Sequence, residues 1–134
     1  MIIEDYTRVY FETLKQRSTP PVYEGKFVHI VGPIEEFLVL SPVILSKYHA
    51  SIVERFCHTH QEAAFRLAGA DGRFTTPGWD IRGGGRFRLD HVQRLLELWG
   101  SSKAYGSFDG EALRSRVKSA AGWTQYSIRL GEPS

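Results

Sequence analysis

The chain has 134 residues and a formal net charge of +2 at pH 7, with 42% apolar and 24% charged residues. That length suits one domain, able to bury about two-thirds of its unfolded surface, and the composition excludes a disordered chain. No apolar run approaches a bilayer span and the first residues lack the pattern of a signal peptide. So small a charge also excludes strong nonspecific attraction to nucleic acid, leaving a soluble domain that engages neither membrane nor nucleic acid as the expectation. Cys57 stands alone, so no internal disulfide is possible, which fits a reducing, cytoplasmic setting.

Met1 to Arg17 reads two ways. Tyr6, Thr7, Val9, Tyr10 and Phe11 favour a strand, whereas Ile3, Tyr6, Tyr10 and Leu14 would line one side of a helix; the strand is the reading taken. Ser18-Thr19-Pro20-Pro21 breaks the segment from the next. Gly25 to Val31 then reads as a strand closed by Gly32-Pro33, with Glu36 to Leu40 as the return arm of a hairpin. Lys26 alternates with Val28 and Ile30, so it shares their face at the mouth of the strand.

Ser41 to Gly69 holds the main helix. Tyr48, Ile52, Phe56, His60, Ala63, Ala64 and Leu67 recur at helical spacing, and Gly69 is a natural stop. Either Ser41, followed by Pro42, or Ser46 can cap its start. The choice decides whether His49 lies in the first turn, where unpaired N–H groups and the positive end of the helix dipole favour a bound anion. Cys57-His58-Thr59-His60 brings three metal-ligating side chains close in sequence, but on a helix they point in different directions, and His29 and His91 are isolated.

Ala70 to Pro77 is a polar connection. Gly83-Gly84-Gly85 then opens a strand in which Phe87 and Leu89 alternate with Arg86, Arg88 and Asp90; Leu95 to Trp99 is its partner across a turn at Asp90 to Arg94. Arg82, Arg86, Arg88 and Arg94 crowd this hairpin, a residue type suited to phosphate or carboxylate. The second strand empties into Gly100-Ser101-Ser102-Lys103-Ala104-Tyr105-Gly106, whose small residues let backbone N–H groups approach an anion, with a serine hydroxyl as a further donor. Asp109 can cap a helix to about Ala121, and Trp123 to Leu130 makes a last strand. The order predicts a single α/β (α+β) domain with a mixed sheet and two helices packed against it.

Four of these stretches occur in a telling series: Lys26-Phe27-Val28-x-Ile, Tyr48-His49-Ala50-x-Ile, Gly83-Gly84-Gly85-Arg86 and Gly100-x-Ser102-x-Ala104-Tyr105-Gly106. In order and approximate spacing the chain resembles the Janus/Ocnus family, the family of the protein phosphohistidine phosphatases, from about Gly25 to the C-terminus; residues 1–21 do not match. The resemblance implies a six-stranded mixed sheet between two helices, with no metal or organic cofactor. It implies hydrolysis of phosphohistidine, with phosphohistidine-containing proteins or peptides as partners, and a monomer is expected. By position His49 resembles the catalytic general base, while Lys26, Ala50, Arg86, Ser102, Lys103 and Ala104 resemble the substrate- and phosphate-binding set. The chain departs from the family at Ser101, where a tyrosine is common, and at Lys103, where an apolar residue is common. The other reading of the same cradle is a non-catalytic phosphate- or phosphopeptide-binding module, which would not need His49.

Overall fold

A computed structural model of the chain describes residues 1–13, 18–60, 66–68, 73–75 and 78–133, with 66–68 and 73–75 as backbone alone. Its N-terminal segment divides in two. Ile2–Asp5 is a strand, β1, but Tyr6–Thr13 is a helix, α1, which corrects the strand expected throughout. The Asp5 carboxylate accepts the Thr7 N–H at 2.9 Å, satisfying a donor that a helix start leaves open. Tyr6 is buried. Together these outweigh the strand propensity of Tyr6, Val9 and Tyr10.

The remaining elements are β2 (Val22–Val31), β3 (Glu36–Ser41), α2 (His49–Thr59), β4 (Arg66–Ala68), β5 (Arg73–Thr75), β6 (Asp80–Asp90), β7 (Leu95–Trp99), α3 (Gly110–Lys118) and β8 (Ser127–Leu130). Six strands form one mixed sheet in the order β1-β3-β2-β6-β7-β8. The outer pairs β1–β3 and β7–β8 are parallel and the inner pairs antiparallel. Strand alternation splits the core into two layers. Phe27, Leu38, Leu40, Phe87, Leu89, Leu96 and Leu98 meet Leu113 and Val117 of α3 on one face. Val28, Ile30, Phe37 and Val39 meet Tyr6 of α1 and Ile52, Val53 and Phe56 of α2 on the other. The expected mixed sheet between helices is therefore present, with α1 as an additional helix. Asp109 caps α3 as the sequence predicts, its Oδ1 accepting the Ala112 N–H at 3.1 Å.

Three boundaries differ from the expectation. Helix α2 stops at Thr59, and Leu67, expected on its apolar side, lies in β4, which pairs antiparallel with β5 through Leu67 and Phe74. Ala63, Ala64 and Gly69 lie outside the described residues. Pairing with Arg73–Thr75, which had read as connection, outweighs a helical pattern that short apolar runs cannot specify alone. Helix α3 ends at Lys118, before Ala121. Strand β8 begins only at Ser127, because Trp123 and Tyr126 are taken up in successive turns and the Tyr126 hydroxyl pairs with His91 Nδ1 at 2.6 Å.

His29 is buried on the α3 side of the sheet, its Nε2 3.0 Å from Glu36 Oε2 and its Nδ1 without a partner among the described residues. Glu36 also pairs with Arg116 of α3. Burial holds the imidazole below its ordinary pKa of 6.5, against the opposing pull of Glu36 and with help from Arg116 and Arg82. His49 is depressed in the same direction. As pH falls, the unfolded chain takes up these protons first, so stability is full above 6.5 and is lost on acidification towards the folded-state values. The urea midpoint is expected to fall between about pH 7.5 and pH 5.5, and His29→Leu to flatten part of that fall. A midpoint that does not change across this window contradicts the assignment.

Candidate active site

The site forms where α2 begins against the middle of the sheet. Neither Ser41 nor Ser46 caps this helix. The N-cap is Tyr48, in extended conformation and with no side-chain cap bond, and His49 is the first helical residue. Pro42 to Ser46 instead make a turn, with the Leu45 and Ser46 N–H groups both donating to Pro42 O, and the buried Ser46 hydroxyl has no partner among the described residues. The N–H groups of Ser51 and Ile52 donate to Tyr48 O at 3.0 and 3.3 Å, whereas those of His49 and Ala50 have no partner among the described residues. An uncapped first turn therefore opens into a cavity of about 720 Å³.

The His49 ring is fixed by the glycines of β6. Its Nε2 lies 2.9 Å from Gly85 O. A carbonyl oxygen only accepts, so Nε2 carries the proton and Nδ1 keeps the lone pair. Nδ1 makes no hydrogen bond among the described residues and is not sealed from solvent. The Cδ2–Nε2 edge lies flat on Gly84, where a Cβ would meet His49 Cδ2 at 2.9 Å and Phe27 O at 2.5 Å. Glycine is needed here for close approach. His49 is only 8% exposed. Burial holds its pKa below the ordinary 6.5, the bond to Gly85 opposes this, and Lys26 and Arg86 add to the depression. The imidazole is neutral at pH 7 and offers a base to the cavity.

Two cations flank it. Lys26 of β2 and Arg86 of β6 are register partners on the face of the sheet that α2 covers. The Lys26 ammonium donates to Lys47 O at 2.9 Å, which ties β2 to the turn before α2. Its pKa lies below the ordinary 10.5, through burial first and then the positive charges of Arg86, Lys103 and Lys47. Opposite the helix, the loop after β7 closes on itself: Ser102 N–H donates to Gly106 O at 3.0 Å and Gly106 N–H to Ser102 O at 2.8 Å. Gly106 holds φ +83°, a conformation that costs other residues. The Gly84 N–H also donates to Gly106 O, at 3.3 Å, so the loop is tied to the strand that seats His49.

Ser102 does more than line the cavity. Its Oγ accepts the Tyr105 N–H at 3.1 Å and the residue is buried. The hydroxyl oxygen thus shapes the loop, while its O–H remains a donor. The Lys103 N–H at the loop's apex has no partner among the described residues.

All seven residues expected at the site border this one cavity: Lys26, His49, Ala50, Arg86, Ser102, Lys103 and Ala104. The sequence reading missed Tyr48 and Ser51 as lining residues, and it missed Gly84 and Gly85 as the seat of the histidine. Three glycines in one strand were the available signal, but they had read as strand punctuation. Cys57, His58 and His60 do not converge: Cys57 is buried in the core, and His60 Nε2 meets Glu4 Oε1. Among the described residues no group of three His, Cys, Asp or Glu side chains could hold a metal ion.

No protein-family model and no curated protein matches the chain. The fold and cavity themselves define its class: an α+β domain with a concave, cationic site built around a buried neutral histidine.

Proposed function

We propose that this domain is a hydrolase of phosphoryl groups, and in particular a phosphohistidine phosphatase. One observation carries the reading: a tautomer-fixed His49, its Nδ1 neither bonded among the described residues nor sealed from solvent, lines a cavity furnished with donors for phosphoryl oxygens. Lys26 and Arg86 supply positive charge. The N–H groups of His49, Ala50 and Lys103 and the Ser102 hydroxyl supply directed hydrogen bonds, and such preorganised donors are what phosphoryl transfer needs.

In the reaction, water adds to phosphorus opposite the substrate imidazole. Nδ1 takes the water's proton as the P–O bond forms, the P–N bond breaks, and its electron pair leaves with the substrate imidazole, which departs neutral because its other ring nitrogen already carries a proton taken from solvent. The Nε2–H···O bond to Gly85 persists when His49 becomes imidazolium, so the transient charge is stabilised without rearrangement. The P–N bond is intrinsically activated, so positioning and charge stabilisation suffice.

The test is phosphate release from a phosphohistidine peptide, set against phosphoserine and phosphotyrosine versions of that peptide. Release from the phosphohistidine peptide alone is expected. Activity confined to the oxygen esters overturns the reading, and tight binding without release favours the phosphopeptide-binding module. Ser102→Ala is expected to weaken inorganic phosphate binding by about 1–3 kcal/mol, through loss of a hydrogen bond to a charged group and a looser loop. Titration followed by NMR measures it.

A further inference from the structure

The cavity carries more positive charge than one phosphoryl group requires. Lys26, Arg86 and Lys103 line it, and Lys47, whose ammonium stands 5.6 Å from the centre of the Tyr48 ring, charges its rim. None of the four pairs with a carboxylate among the described residues. The neighbouring row of the sheet makes the contrast. There Glu97 is held by Arg88 at 3.2 Å and Arg129 at 3.6 Å, while Glu24 lies 3.8 Å from Arg88. Those two acids are thus committed to arginines, whereas no ion pair joins Lys26, Lys47, Arg86 or Lys103 to a carboxylate among the described residues.

A phosphoryl group bears at most two negative charges, against four positive ones. The cavity, at about 720 Å³, has the size of sites that enclose a drug-sized ligand and not an isolated phosphate. Burial first lowers the Lys26 pKa and the like charges of Arg86, Lys103 and Lys47 lower it further, a repulsion that an added anion relieves. Lys47 and Lys103 approach the cavity from opposite walls, the turn before α2 and the loop after β7, and both side chains are exposed.

We infer that Lys47 and Lys103 form a second anionic subsite, which takes a carboxylate side chain flanking the phosphorylated residue of a polypeptide. This rests on the phosphatase reading of the cavity. Lys26 and Arg86 hold the phosphoryl group, and the two rim lysines select acidic sequence on either side of it. Because both lysines are exposed, each contributes modestly and in a salt-dependent manner.

The experiment compares phosphohistidine peptides that differ only in their flanks, aspartate or lysine. It reads kcat/KM with the wild-type chain and Kd with the His49→Asn protein. At low ionic strength the aspartate peptide is expected to be preferred about ten-fold in both quantities, and each of Lys47→Met and Lys103→Met to reduce that preference about two- to five-fold. Salt at about 0.5 M should erase most of it. Equal kcat/KM and equal Kd for the two peptides, with phosphate released from both, overturn the subsite and leave the phosphatase. A preference in Kd with no release from either peptide overturns the phosphatase and leaves the subsite. A preference that survives both lysine substitutions places the selection elsewhere and overturns the subsite.

Discussion

Replacing His49 with asparagine is expected to lower turnover of a phosphohistidine peptide by about 10²–10⁴-fold, the range for a lost general base. Asparagine places its amide where the ring has Nδ1 and Cδ2, so it occupies the seat on Gly84 without reaching Gly85 O, and it cannot take up a proton. Phosphate binding should change little, because Lys26, Arg86 and the loop after β7 are untouched. The loss should therefore fall on kcat and not on KM. The pH dependence follows from the same group. Free His49 has its pKa depressed by burial, by Lys26 and by Arg86, so kcat/KM should rise with pH through one ionisation lying below 6.5 and be flat above it. Bound phosphate favours the imidazolium, so the ionisation seen in kcat should lie higher than that in kcat/KM. His91→Asn is the control. Its side chain bonds Tyr23 and Tyr126 at the turn between β6 and β7, and turnover should not follow it.

Gly84→Ala should have the second-largest effect. The added methyl would lie 2.9 Å from His49 Cδ2 and 2.5 Å from a backbone oxygen of β2. The ring is the partner that can yield. Displacing it stretches the 2.9 Å bond to Gly85 that fixes its tautomer. A misplacement on the order of 1 Å costs about 10²-fold in rate, and overpacking at this buried position about 1–3 kcal/mol in stability. Turnover measured where the variant is still folded separates the two. A Gly84→Ala protein with full activity would mean that the seat on β6 does not position the base.

Much of this arrangement was legible in the sequence because it rests on short-range patterns. Alternation in Lys26–Ile30 and in Arg86–Asp90 put the right side chains on the right faces, and Asp109 announced α3. What was not legible depends on tertiary context. The α2 start was offered as Ser41 or Ser46, yet it lies at His49, because Lys26 pins Lys47 O and the Leu45 and Ser46 N–H groups turn back onto Pro42 O before the helix begins. No local propensity reports on such ties. The N-terminal segment turned on one carboxylate, Asp5, and on burial of Tyr6. At the site the seven expected residues border the cavity, but Tyr48, Ser51 and the glycine seat were missed, and Ser102 was seen only as a ligand group, whereas its oxygen also shapes the loop. The charge surplus likewise needed three dimensions, since Lys47 and Lys103 are 56 positions apart and meet only through the fold.

The proposed mechanism requires a neutral His49 with Nδ1 free to face a phosphoryl group, and one measurement reads that state directly. Nitrogen-15 NMR of the His49 ring, followed against pH in the free protein, reports both its tautomer and its ionisation. The expected result is the Nε2–H tautomer with a pKa below 6.5, coinciding with the ionisation seen in kcat/KM. An Nδ1–H tautomer, or an imidazole still protonated well above that value, would contradict the account.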